Sequence, residues 1–207
     1  MGVVRFNFRK YQEKGPVSFS QSVLESMHDL AYILATVLIA FTFLVRMVVV
    51  SGDSMFDTLA EGDYLLVLNN PICGKLEQGD IVVASMDHFR NGDPIVKRVI
   101  ATEGQLVDID FSAGIVYVDG EALDEPYTFT KTNIAEGMQF PLIVDEGCLF
   151  LMGDNRNESM DSRDPKIGLV DTREILGKAV LLIMPGDGSS EHPMKWDIGR
   201  IGGLNND

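Results

Sequence analysis

Apolar residues follow two different patterns along this chain, and the change from one to the other falls near residue 48. The first pattern is a single long run. Residues 30–45 carry no charge, Arg46 interrupts, and apolar residues resume at 47–50. A membrane-spanning helix needs about 20 residues, with a lower limit near 17. The run reaches that length if Arg46 snorkels to the outer interface. Residues 30–47 are therefore predicted to form a transmembrane helix. A cleaved secretion signal fits less well, because the preceding lead is long and no small-x-small site follows. A soluble core helix would show a polar face, which this run lacks. There is no second run of this length, so a single pass is expected.

From residue 48 onward the pattern breaks into short segments rich in β-branched residues and separated by turn residues. Strands are predicted at 64–68, 81–85, 95–102, 106–110, 115–118, 148–152 and 175–184. Turn signals between them include Asn69-Asn70-Pro71, Arg90-Asn91-Gly92-Asp93-Pro94, Phe111-Ser112-Ala113-Gly114 and Asp119-Gly120. The fold class is thus mostly β: one N-terminal transmembrane helix, then an antiparallel β-sheet domain over 48–185. Residues 105–147 look like a hairpin plus a loop inserted into that sheet. Residues 1–29 form a polar lead, and residues 186–207 a polar, Gly-rich tail.

Charge adds an orientation and excludes one class of partner. The net charge of −14 argues against nucleic acid, which needs clustered Lys and Arg. Four basic residues, Arg5, Arg9, Lys10 and Lys14, lie ahead of the apolar run. Beyond Arg46 there are 12 basic and 28 acidic residues. Cationic flanks stay in the cytoplasm, so the lead is expected inside and the domain outside. Cys73 and Cys148 are too few for a disulfide framework; either a bridge between them or two buried thiols behaving as small apolar side chains fits the sequence.

Three stretches carry candidate chemistry. Ser54 lies in Gly52-Asp53-Ser54-Met55-Phe56-Asp57-Thr58-Leu59, directly after the apolar run. Lys97 lies in the apolar segment Ile95-Val96-Lys97-Arg98-Val99-Ile100. A dense polar turn follows at Gly153-Asp154-Asn155-Arg156-Asn157-Glu158-Ser159-Met160-Asp161-Ser162-Arg163. A serine hydroxyl becomes a useful nucleophile when a base takes its proton. A lysine is such a base when desolvation lowers its pKa, and Ile95, Val96, Val99 and Met55 would supply that desolvation. Taken singly, Ser54 also reads as a turn serine and Lys97 as a protective lysine on an edge strand. Adjacent strand residues face opposite sides, so one of Lys97 and Arg98 is expected at the site and the other in solvent. Asp161 and Arg163, two apart, would share a face and pair. Asp154 and Asn155 read as turn caps. His88 is the alternative base. No ligand cluster suggests a metal and no Gly-rich loop a nucleotide, so no cofactor is expected.

In this order, and behind an apolar anchor, the three stretches resemble the bacterial type I signal peptidases, a family of Ser/Lys-dyad serine proteases. Weaker matches lie at Gly79-Asp80-Ile81-Val82, Val116-Tyr117-Val118-Asp119-Gly120, Glu125-Pro126-Tyr127 and Gly177-Lys178-Ala179. The resemblance implies a membrane-bound endopeptidase that removes signal peptides from secretory preproteins after a small-x-small site. It assigns Ser54 as nucleophile and Lys97 as general base, with Ser159 orienting the amine and Asp161 and Arg163 in support. It implies that 105–147 is a noncatalytic insertion. An extended substrate would add to strands at 48–51 and 94–97. Val50, Met55, Leu59 and Val96 would form shallow pockets. The Ser54 amide is a candidate oxyanion donor, and Gly52 offers no hydroxyl as a second. Asp57 stands where the family usually has proline, and its charge is expected to bear on the turn and on Lys97. Two other readings follow from the same residues. One is a peptide-binding module of this fold that no longer cuts. The other is a self-cleaving repressor of the DNA-damage response, which would require an N-terminal DNA-binding domain and no span.

Overall fold

The computed structural model describes residues 19–186. The basic lead before residue 19 and the tail beyond residue 186 lie outside the described residues. The chain divides into two units at Phe41/Thr42.

Helix α1 spans Phe19–Leu44. It starts well before the predicted span and ends before it. Residues 19–29 are polar but contain no Gly or Pro, and Leu, Glu and Met among them favour a helix whatever their polarity. The portion Ser22–Leu44 has a mean hydropathy of 1.8. Its 23 residues extend about 34 Å, enough for a hydrocarbon core of about 30 Å. Large apolar side chains are exposed all round it, among them Tyr32 at 74% and Phe41 at 60%. A helix apolar on every side suits hydrocarbon rather than water.

Arg46 and Met47, predicted as the end of the span, belong instead to strand β1, Val45–Val49. Strand pairing outweighs helix continuation here, since β1 zips against β2, Tyr64–Asn69, from Val45↔Leu68 to Val49↔Tyr64. Asn69 fixes the changeover. Its Nδ2 donates to the Phe43 carbonyl at 2.6 Å, and its Oδ1 accepts from Arg46 Nε at 2.6 Å. An orphan carbonyl at the helix end is thereby satisfied.

The main sheet also contains β3, Ile81–Ala84, and β4, Ile95–Thr102. Three further strands complete it: β9, Cys148–Met152; β10, Val170–Asp171; and β11, Ile175–Met184. All pairs are antiparallel, in the order β1-β2-β11-β3-β4-β9-β10. Between β4 and β9 the chain builds a second sheet from β5, Leu106–Asp110; β6, Ile115–Val118; β7, Glu121–Ala122; and β8, Leu142–Ile143. Its order is β7-β6-β5-β8. Asp119 and Gly120, at φ 54° and 84°, make the tight β6–β7 turn that only such residues favour.

The longer predicted strands coincide with observed ones; β7, β8 and β10 have two residues each, too few for a periodic signal. Alternation distributes the core. Val82 and Ala84 of β3 join one cluster with Ile95, Val99, Leu149 and Leu151. Ile81 and Val83 join another with Val50, Met55, Leu59, Leu65 and Val67. The small sheet packs Val107, Ile109, Val116 and Val118 against Ile100, Phe150 and Met152. Cys73 and Cys148 are both free thiols.

Gly177 of β11 marks the tightest packing in the main sheet. A Cβ there would run into the Leu68 carbonyl oxygen and the Val67 side chain. Backbone cannot yield as a flexible side chain does, so Gly177→Ala should destabilise the chain by about 1–3 kcal/mol. Denaturant unfolding in detergent checks this through a lowered midpoint; an unchanged midpoint would show that β2 and β11 have slack.

Candidate active site

One cleft collects most of the candidate chemistry. Its volume is about 910 Å³, and its walls include Val48 and Val49 of β1, residues 51–54 after it, Phe89 and Arg90, the start of β4, and the polar turn at 157–160. β1 and β4 are three strands apart in the sheet order and still share this cleft, so the sheet curls.

Ser54 sits on a tight turn. Gly52 takes φ 83°, Phe56 N donates to Asp53 O at 3.1 Å, and Leu59 N donates to Met55 O at 2.8 Å. The Phe56–Asp57 peptide bond is cis. Met55 and Leu59 are buried in the core and pin the turn from below. Asn155 straps it from above: its backbone N donates to Ser54 O and its Nδ2 to Asp53 O, each at 3.1 Å. No hydrogen bond occupies the Ser54 backbone N–H among the described residues.

Lys97 Nζ lies 2.6 Å from Ser54 Oγ and also donates to Val96 O at 3.1 Å. The side chain is only 4% exposed. Burial brings its pKa down from 10.5 to about 8; Asp161 opposes the fall, Arg90 assists it, and Asp154 and Glu136 oppose it more weakly. A group near that value is partly an unprotonated amine at neutral pH and can accept a proton. Asp57 is exposed, and it is not one of the leading charges on Lys97. His88 is exposed beside Glu174, at 3.9 Å, and does not line the cleft.

Arg98 corrects the expectation of a solvent-facing neighbour. It is 3% exposed. The register pairs Lys97 with Val82 and Arg98 with Ile81, which does place the two on opposite faces, but both faces are covered. Arg98 grips Asp154 with both arms of its fork, Nε to Oδ1 at 2.8 Å and Nη2 to Oδ2 at 2.6 Å. Nη1 donates to Gly79 O at 2.8 Å, and the guanidinium lies 3.9 Å from the centre of the Tyr127 ring. Thr58 Oγ1 donates to Asp154 Oδ2 at 2.5 Å. Asp154 is therefore a buried ion-pair partner rather than a turn cap. Loss of one partner from such a pair leaves an uncompensated buried charge, at about 3–5 kcal/mol. The pair joins the lysine strand, the Ser54 turn and the polar turn in one network.

The polar turn supports the same point. Arg163 holds Asp161 by Nε to Oδ1 at 2.8 Å and Nη2 to Oδ2 at 2.9 Å, and both residues are fully buried. Asp161 Oδ2 in turn accepts from Gly153 N at 2.9 Å. A Cβ on Gly153 would collide with Ser159 and with the Ser54 carbonyl oxygen, so glycine alone allows the two segments to close. Ser159 is 3% exposed and lines the cleft, but its Oγ makes no hydrogen bond among the described residues, and the second partner of Lys97 Nζ is the Val96 carbonyl.

Of the four apolar residues predicted to form pockets, Val96 lines the cleft, while Val50, Met55 and Leu59 belong to the core behind it. Their uniform apolarity marks burial as readily as it marks a pocket. The apolar wall is made instead by Val48, Val49, Phe89, Ile95 and Val96.

The insertion, expected to be noncatalytic, also touches the polar turn and the cleft wall. Arg156 pairs with Glu125 at 2.6 and 2.9 Å and donates to Thr132 Oγ1 at 2.9 Å. Glu136 lines the cleft and sits 3.3 Å from Arg163. The box Glu125-Pro126-Tyr127 was the available sequence signal for this layer; nothing marked Glu136. Among the described residues no group of three or more His, Cys, Asp or Glu converges to hold a metal ion.

Comparison with known proteins agrees with this arrangement. The family model described as "Signal peptidase, peptidase S26" matches residues 23–184. Signal peptidase I S of Bacillus subtilis (strain 168) is 32% identical over 180 residues, covering 82% of this chain and 93% of the relative. Signal peptidase I of Bacillus licheniformis is 33% identical over 164 residues, covering 75% and 84%. Signal peptidase IB of Staphylococcus aureus (strain COL) is 29% identical over 181 residues, covering 80% and 91%. With a family match that runs from the apolar helix to the last strand of the main sheet, this chain belongs to the S26 signal peptidases and is a serine endopeptidase.

Proposed function

We propose that this chain removes signal peptides from exported preproteins by means of a Ser54–Lys97 dyad, while anchored in a membrane by α1. The observation that carries the proposal is the 2.6 Å approach of a buried, pKa-lowered Lys97 amine to Ser54 Oγ. In the first half-reaction, neutral Lys97 takes the Ser54 proton as Oγ attacks the scissile carbonyl carbon. The carbonyl oxygen becomes an oxyanion, and the unoccupied Ser54 N–H is placed to donate to it. Collapse breaks the C–N bond, and the lysine proton passes to the leaving amine. An acyl-serine ester remains. In the second half-reaction Lys97 takes a proton from water, hydroxide oxygen adds to the ester carbon, and Ser54 regains its proton on release.

Two open strand edges suit an extended substrate. Among the described residues β1 pairs only with β2, and β9 begins its pairing with β4 at Arg98, leaving Ile95, Val96 and Lys97 paired on one side. A peptide laid between them gains main-chain hydrogen bonds, and alternate side chains meet the Val48, Val49 and Val96 surface. With so little apolar relief at the cleft wall, small residues are preferred at the cleavage site.

The anchor reading rests on the length and all-round apolarity of α1. The basic residues ahead of it orient the lead towards the cytoplasm and the sheet domain outward. A reporter fused after Asp207 should be active only outside the cytoplasm; activity inside would reverse the assigned topology.

The dyad is tested with the detergent-solubilised chain and a preprotein, by sequencing the N-terminus of the product. Cleavage should follow a small-x-small motif. Ser54→Ala should abolish it. Lys97→Arg should also abolish it, because guanidinium does not release its proton in the working range. Substantial turnover by either variant would remove that residue from the mechanism.

A further inference from the structure

The loop ahead of β4 brings an uncommitted cation to the cleft. The basic residues that line the cleft are Arg90 and Lys97, against Asp53, Asp93, Glu136, Glu158 and Asp164. Lys97 is buried and engaged with Ser54. Arg90 is exposed, and among the described residues its guanidinium enters no ion pair.

The backbone fixes where this side chain starts. Arg90, Asn91 and Gly92 take φ 48°, 57° and 83°, three left-handed residues in succession. That conformation strains Arg and Asn and persists only where the surroundings hold it. Gly92 N donates to Phe89 O at 3.0 Å, Asp93 N to Arg90 O at 3.2 Å, and Ser85 Oγ to Gly92 O at 2.7 Å. Phe89 is packed in the core, and Arg90 Cζ lies 5.5 Å from the centre of its ring. The guanidinium thus has a fixed aromatic neighbour, while its N–H donors remain available.

Strand direction tells which part of a substrate passes Arg90. β2, β11 and β3 lie between β1 and β4, and every pairing is antiparallel, so β1 and β4 run the same way. β1 leads into Ser54, and the start of β4 leads into Lys97. Val48, Val49, Arg90 and Val96 therefore lie on one side of the dyad, the side assigned above to the small residues before the cleaved bond. At about 3.3 Å per strand residue, Pro94 lies about 10 Å ahead of Lys97. Arg90, beyond Pro94, stands beside about the fourth to sixth residue before that bond.

We propose that Arg90 is a specificity-determining residue that favours signal peptides with an acidic side chain about four to six residues before the cleaved bond. This rests on the reading of the cleft as the seat of the signal peptide. A carboxylate matches the planar fork of a guanidinium, and a lysine at the same place meets a like charge. Apart from the buried Lys97, the other charged residues that line the cleft are acidic. An acidic side chain is repelled elsewhere along the wall, so Arg90 also fixes the register of the peptide.

The test uses the full chain in detergent and preproteins that differ at one residue. Glu, Gln or Lys is placed in turn at the fourth, fifth and sixth residue before the cleavage site, and kcat/KM is measured with the product N-terminus sequenced. At one of these positions or more, Glu should exceed Lys by about fivefold, with Gln between them. Arg90→Gln should flatten the order, and Arg90→Glu should invert it. Cleavage after the expected bond with no dependence on charge, or the same order in Arg90→Glu as in the parent, overturns this proposal alone. Failure of the parent chain to cleave any of the preproteins overturns the reading it rests on and this proposal with it.

Discussion

The rest of the structure depends on burying one lysine amine against one serine hydroxyl. An ammonium ion resists removal from water, and the fall of the Lys97 pKa from 10.5 to about 8 corresponds to about 3 kcal/mol. The sign follows from the direction of the shift. Below pH 8 the folded chain carries a desolvated ammonium and loses stability relative to a solvated lysine. The penalty fades as pH rises from 8 towards 10.5, where the unfolded chain also sheds the proton. The fold tolerates the cost because Lys97 is paired with Val82 on a strand that β9 braces on its other side from Arg98 onward.

Holding the amine at 2.6 Å from Ser54 demands that two distant segments stay in register. The buried Arg98–Asp154 pair, with Thr58, locks the lysine strand, the Ser54 turn and the polar turn together. Asn155 fixes the carbonyls of Asp53 and Ser54, and Gly153 allows the approach. The Arg163–Asp161 pair holds Gly153 in turn. The loop between β7 and β8 closes this network through Glu125, Thr132 and Glu136. Asp161 and Asp154, whose ion pairs hold the scaffold together, are therefore also charges that act on the Lys97 amine.

Much of this was legible in the sequence, for identifiable reasons. Alternating β-branched segments gave β2 to β6, β9 and β11, since period-two burial is visible in local composition. The first part of β1, residues 45–47, was hidden inside the apolar run, because a strand of Val, Met and Arg looks like the continuation of a membrane helix. Ser54 and Lys97 stood out as polar residues beside apolar ones. The partners of Arg98 did not, because an ion pair across 56 positions leaves no spacing pattern. Asp154 read as a cap for the same reason. Val50, Met55 and Leu59 read as pocket walls because sequence does not distinguish a residue facing a cleft from one behind it. Glu136 was silent, since a lone acid in a loop carries no signal until the fold brings it to Arg163.

The central claim is that the lysine works as a neutral amine, and the pH dependence of kcat/KM on a preprotein substrate tests it most directly. The account predicts a rate that rises with pH along an acid limb centred near 8, as the folded Lys97 loses its proton, and then levels off. A rate that is flat from pH 6 to 9, on the order of a unit or more either side of neutrality, would contradict it.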